Sequence, residues 1–193
     1  MGGAGAACWA LVLVHGAVLQ RRAARFGREL TVTLLARRSR HFAGTRYLKR
    51  GVSDGGKVAN DVELEQIVHD AGGAREGAFA ALVQARGSLP VAWAQETSVA
   101  RPKPPIVLHR VDPTYAATQA HFQDILARYG APCLVLDLVR QNERAGRERE
   151  VIIGREFKKA IEHVNSSMDE EHAIRYCALD FSQLHKNERP PLP

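Results

Sequence analysis

Residues 112–130 carry the tightest constraint on how this chain can fold. Asp112 stands where it can cap a helix, and Pro113 suits the first helical position because its fixed φ and missing N–H cost nothing there. Phe122, Ile125, Leu126 and Tyr129 follow at i, i+3, i+4 and i+7, one stripe on one helical face, and Gly130 suits the exit. The apolar run 133–139, CLVLDLV, reads as a buried strand. Residues 153–164 read as a second helix with Phe157, Ile161 and Val164 on one face, and 174–181 as a closing strand. Helix–strand–helix–strand order predicts an α/β protein, a mixed sheet with flanking helices and at least some parallel pairing.

The first half is richer in strands. The apolar run 8–14 reads as a strand, and 30–36 as another, with Leu30, Val32 and Leu34 alternating against Thr31 and Thr33. Between them lies an arginine-rich stretch ending in Phe26-Gly27, a turn before the second strand. Residues 37–58 are charged and punctuated by glycine, with Ser53-Asp54-Gly55-Gly56 the clearest turn. Strands are expected over 58–68 and 78–86, the latter running into Gly87-Ser88 and ended by Pro90. RPKPPI at 101–106 is a stiff extended connector, since each proline fixes φ and biases its predecessor away from helix. The organisation expected is one domain over 1–193: a strand-rich first half (9–100), an α/β second half (107–186) and a proline-rich tail (187–193).

Length and composition fit one domain with a buried core: 193 residues, 45% hydrophobic and 25% charged, which excludes wholesale disorder. The net charge of +6 is concentrated, because residues 21–50 hold ten Lys/Arg against the single acid Glu29. Such a block favours an anionic partner, either phosphate, an acidic membrane surface or nucleic acid; a solvated face with acidic neighbours is the plainer alternative. Aromatics among the cations are limited to Phe26, Phe42 and Tyr47, and no nucleic-acid module pattern occurs, so nucleic acid is not expected as a partner. Three cysteines without CxxC spacing give neither a disulfide framework nor a zinc knuckle. Cys133 and Cys177, inside apolar runs, read as small core residues. The apolar N-terminal stretch lacks a basic n-region and does not read as a signal peptide; Ala6 breaks the myristoylation pattern. No histidines pair at i, i+4 and no HExxH or G-x-S-x-G occurs, so no metal, no cofactor and no serine-hydrolase site is expected. Glu170-Glu171-His172 reads as the exposed start of a turn or helix.

The best polar cluster is Asn60, Glu63, Glu65 and Gln66. On a strand Glu63 and Glu65 share a face, and two like charges there need a cation between them. They read either as an ion-pair network bracing the sheet or as a pocket wall that positions cations around a phosphate. The expectation is that both share a cavity with Arg86, on a neighbouring strand about 20 residues on. Arg86-Gly87-Ser88 can offer a guanidinium and backbone N–H groups to an anion, or can simply be a turn with a surface arginine. Trp93, between two alanines, reads as a core anchor before a ligand platform.

These segments resemble the Sac-domain phosphoinositide phosphatase family. The wording runs through WALVLVHG, GRELTVTLLARRSRHFAGTRYLKRG, VANDVELEQIV, LVQARGSLPVAWAQE, KPPI and HFQDILARYGAPCLVLDLVR, from about Trp9 to about Lys186. KPPI and FAGTRYLKRG look most like the branch that hydrolyses phosphatidylinositol 3,5-bisphosphate. Leu64 stands where the family usually has Thr, and Ala94 where it usually has Ser. The resemblance implies a partial Sac catalytic domain, a phosphoinositide or acidic membrane partner, and a cytoplasmic location peripheral to endosomal or vacuolar membranes; the alternative is a non-catalytic module that binds acidic membrane lipids or a scaffold protein through the basic block of residues 21–50. It also implies a Cys-x5-Arg loop, which is not here: six residues after Cys8, Cys133 and Cys177 stand Val14, Val139 and Gln183. No catalytic residue is therefore expected, and the chain is expected to be inactive alone. What the resemblance carries over is a set of pocket walls: Arg46, Arg50, Asn60, Glu63, Glu65, Arg86, Ser88 and Trp93.

Overall fold

The computed structural model describes residues 15–25, 27–41, 50–70, 78–95, 105–108, 112–143 and 149–180. The expected strand at 8–14, most of the proline connector and the tail lie outside them. The chain divides into two compact units, one of residues 1–43 with 61–86 and one of 44–60 with 87–193. The polypeptide thus passes between the units near residues 43, 60 and 86.

The described part of the first unit is a four-stranded antiparallel sheet in chain order: β1 (Gly16–Arg25), β2 (Arg28–Arg38), β3 (Val62–Asp70) and β4 (Ala78–Arg86). The arginine-rich lead-in to the second strand is itself a strand. It forms because β2 offers a full ladder, Gly16↔Arg37 to Arg25↔Arg28, around a turn in which Gly27 takes φ 72°. The lead-in's arginines are tolerated on an outer strand, where charge is common. Strand β3 begins four residues later than expected. Val58 instead bridges Val52, and Asn60, with φ 56°, turns the chain before pairing starts. The expected turn is present, with Ser53 O accepting from Gly56 N at 2.9 Å. Strand β4 has the predicted bounds.

The second unit holds a two-residue pair β5 (Trp93–Ala94) with β6 (Val107–Leu108), helix α1 (Ala116–Tyr129), β7 (Leu134–Asp137), α2 (Glu150–Asn165) and β8 (Arg175–Ala178). Strands β7 and β8 pair in parallel, so the α/β class and the expected parallel pairing both hold. Antiparallel and parallel pairing occupy separate sheets. Asp112 caps, but one turn early: its carboxylate accepts from Thr114 N, Thr114 Oγ1 and Ala116 N, and α1 starts only after Tyr115 at φ 47°. The core joins Ile153, Phe157, Ala160, Ile161 and Val164 of α2 with Phe122, Val91, Trp93 and Ile174. Each large apolar side chain so buried contributes about 1.5–3 kcal/mol.

Two expectations fail here for one reason. Strand β7 is not buried on both faces: Val135 packs on the core, but Leu134 and Leu136 are 72% and 54% exposed. Its partner β8 follows the same period, so Cys177 is exposed and not a core residue, while Cys133 is half-buried against the core. Glu170, Glu171 and His172 lie in an exposed turn, as expected.

Candidate functional site

In the first unit the alternation of β3 places Glu63 and Glu65 on one face, and register supplies their cation. Arg37 lies directly across from Glu63 on β2. Its Nε donates to Glu63 Oε1 at 2.8 Å and its Nη2 to Glu65 Oε2 at 2.6 Å. One planar guanidinium thus spans two carboxylates, the geometry in which Arg outperforms Lys. Hydrogen bonds to Glu65 and then Glu63 hold the Arg37 guanidinium above its ordinary pKa.

Arg86 is not that cation. It pairs with Val62, whereas Glu63 and Glu65 pair with Ala85 and Val83, so Arg86 projects from the other face of the sheet. The expected shared cavity of Arg86 with the two carboxylates is overturned by this register. Asn60 is exposed at the turn into β3. The signal for Arg37 was available in the like-charge argument; what was missing was which strand neighbours β3 and in what register.

A second group forms inside the second unit. Ser88 Oγ accepts from Gly51 N at 2.9 Å, and Ser88 N donates to Ala59 O at 2.8 Å, so the Gly87-Ser88 turn ties down the 51–59 loop. Gly51 sits at φ 74°, and a Cβ there would meet Trp93 O at 2.6 Å. That close approach puts Arg50 over the Trp93 ring, its Cζ 5.8 Å from the centroid, at the outer limit of a cation–π contact. Trp93 is only 9% exposed and belongs to the core, as its plainer reading had it. Its indole N–H is a buried donor without an acceptor among the described residues. The structure therefore brings Glu63 and Glu65 together around Arg37, and Arg50, Ser88 and Trp93 together around Gly51. Arg46 lies outside the described residues.

Sequence reasoning missed a cavity of about 280 Å³ in the second unit, lined by Val52, Asp54, Asp112, Tyr115, Thr118 and Glu156 among others. Tyr115 donates its hydroxyl to Glu156 Oε1 at 2.9 Å, and burial followed by that bond pushes its pKa up to about 12. Three carboxylates in one wall disfavour a phosphate ligand. No motif joins these residues, since folding alone brings positions 52–54, 112–118 and 156 together. Burial raises the Cys133 thiol pKa, which opposes nucleophilic use of that sulfur.

The SacI homology domain profile matches residues 3–186. The Arabidopsis thaliana phosphatidylinositol-3-phosphatase SAC1 is 49% identical over 181 residues, covering 93% of this chain and 20% of that protein. The Arabidopsis phosphoinositide phosphatase SAC4 is 46% identical, over 93% of this chain and 21% of its own length. The Schizosaccharomyces pombe polyphosphoinositide phosphatase is 42% identical over 191 residues, covering 94% of this chain and 23% of that protein. The chain spans about a fifth of the length of these curated relatives. With the profile matching nearly its whole length, the chain belongs to the SacI homology domain family of phosphoinositide phosphatases.

Proposed function

We propose that this chain supplies part of the fold of a phosphoinositide phosphatase acting on phosphatidylinositol 3,5-bisphosphate, peripheral to endosomal or vacuolar membranes on their cytoplasmic side, and that it has no turnover alone. The observation that carries the reading is at the cysteines. Their sixth following residues are Val14, Val139 and Gln183, so no thiolate is matched with the arginine that would hold the phosphoryl oxygens. The substrate assignment is supported by the KPPI and FAGTRYLKRG wording. Phosphate release from soluble phosphatidylinositol 3,5-bisphosphate by the purified chain should not exceed a heat-denatured control. Release that survives Cys133→Ser and Cys177→Ser would refute inactivity. Substituting this chain for the matched fifth of the S. pombe enzyme should leave a chimera that prefers this lipid over the 3-monophosphate, and the opposite preference would refute the substrate. A fluorescent fusion of the longer polypeptide that stays off endosomal and vacuolar membranes would refute the location.

A second reading, a non-catalytic module on acidic membranes or on a scaffold protein, is supported by the exposure of Arg21, Arg22 and Arg40. Part of the basic block is committed elsewhere, Arg28 to Asp70 and Arg37 to Glu63 and Glu65. Charge reversal at Arg21 and Arg22 should then weaken sedimentation with phosphatidylserine vesicles, and each cation near such a surface is worth about 1 kcal/mol at low salt. Salt-insensitive binding would refute it.

A further inference from the structure

At the end of the sheet where β3 begins, register sets two arginines on either side of one residue. Arg38 on β2 and Arg86 on β4 each pair with Val62 on β3, so the three side chains stand on one face. Neighbouring strands lie about 4.8 Å apart, which puts the two arginine Cα atoms about 10 Å apart, within reach of guanidiniums converging over Val62. Like charges that share a face need a counter-charge between them, the constraint that Arg37 meets for Glu63 and Glu65 on the opposite face. The strands of this face do not supply one here. Their one acid, Asp70, lies at the far end of β3 and is bound by Arg28. Whatever else Arg38 touches, its Nε–H is shut away from solvent and meets no acceptor among the described residues. Buried donors in folded proteins are nearly always satisfied, so such an N–H gains from an anion that brings an oxygen to it. Arg38 is half-buried and Arg86 exposed, which gives the pair a solvent side.

We propose that Arg38 and Arg86 form a clamp for a phosphate monoester or phosphate ion, each guanidinium presenting its fork to one side of the anion. A doubly charged phosphate neutralises both cations and carries oxygens enough for two forks. A carboxylate brings one charge and fills one fork. The clamp itself rests on register and charge; the choice of phosphate among dianions rests on the reading of the chain as part of a phosphoinositide phosphatase. The phosphate can belong to an inositol lipid headgroup or be a free ion, and the chemistry at the two arginines is the same.

The test is isothermal titration calorimetry of the full chain with inorganic phosphate, with short-chain phosphatidylinositol 3,5-bisphosphate and with acetate. Phosphate should bind at one site, and acetate about tenfold more weakly or not at all. Arg38→Gln and Arg86→Gln should each weaken phosphate about tenfold or more. The double variant should lose little beyond either, because one anion bridges both. Arg86→Lys, which keeps the charge and loses the fork, should weaken it about threefold. Lys158→Gln removes the same charge from the exposed surface of α2 and should change nothing. Phosphate should raise the melting temperature of the wild type and not that of the double variant, which separates binding from folding. Equal weakening by Lys158→Gln, losses that multiply in the double variant, or acetate binding as tightly as phosphate overturns the clamp. So does a fall of more than about 5 °C in the phosphate-free melting temperature of Arg38→Gln, which would make Arg38 an internal brace. Phosphate bound as tightly as the lipid assigns the site to the free ion, lipid bound at least about tenfold tighter assigns it to the headgroup, and either supports the clamp. Absence of binding to both overturns it and leaves the phosphatase reading, which is judged by turnover, untouched.

Discussion

Gly51→Ala isolates the device that seats Arg50 over Trp93. Two costs add at this position. At φ 74° an L side chain is in the left-handed region, which costs about 1–2 kcal/mol. The new methyl would also meet Trp93 O at 2.6 Å, Val91 O at 2.9 Å and Trp93 N at 3.0 Å. These are backbone atoms of a core segment and cannot swing aside, so overpacking adds about 1–3 kcal/mol. The sum is about 2–5 kcal/mol, a large part of the 5–15 kcal/mol that holds an ordinary domain together. With a urea slope of about 2 kcal/mol/M the unfolding midpoint should fall by about 1–2.5 M. A glycine of the same unit gives the baseline. Gly55 has neither a positive φ nor a near neighbour, so Gly55→Ala should be neutral or stabilising by about 0.5 kcal/mol. A fall in midpoint for Gly51→Ala of less than about 0.5 M relative to wild type would refute the close-approach argument.

Arg37→Met should destabilise the antiparallel sheet by leaving Glu63 and Glu65 facing each other, and adding Glu63→Gln with Glu65→Gln should restore much of the loss; a thermal-melt cycle with no coupling would refute the bridge. The Asp124 carboxyl is held below its ordinary 3.8, chiefly by the hydrogen bond from Lys57 Nζ at 2.9 Å. Its contribution is therefore complete above pH 3.8 and lost as pH falls through the lower folded value, so Asp124→Asn should remove that acid-side slope and leave the neutral-side slope alone. Phe157→Ala should cost about 3–5 kcal/mol, because the ring stacks on Phe122 and meets Tyr176 edge-on inside the core. Among the described cysteines, exposed Cys177 should react with a thiol reagent well before Cys133, whose thiol burial keeps protonated.

What was legible in the sequence was whatever depends on local period and local chemistry. Helices α1 and α2 and the Ala78–Arg86 strand depend on spacing within one element, and each forms where spacing put it, although of the α1 stripe only Phe122 and Ile125 pack on the core and Tyr129 is exposed. What was not legible depends on pairing between elements. The period of two correctly put Glu63 and Glu65 on one side, but it says nothing of which neighbouring side chain lies across from them. That is set by register, and a slip of one residue exchanges the two faces of a strand. The observed register aligns Arg37 with Glu63 and leaves Arg86 against Val62. The same limit explains β7, since a seven-residue run with six apolar side chains looks buried on both faces until the number of layers around it is known. Arg86 and the exposed leucines are thus one error seen twice. It leads to a single consequence: the carboxylates of β3 are already bridged by Arg37, so a phosphate-binding role for Glu63 or Glu65 must proceed through that guanidinium. Arg37→Lys tests this, because a lysine keeps the charge but loses the fork. If the bridge only braces the sheet, a chimeric phosphatase carrying Arg37→Lys should lose stability with its KM unchanged. If it forms a pocket wall, KM for the phosphoinositide should rise even where the fold is intact.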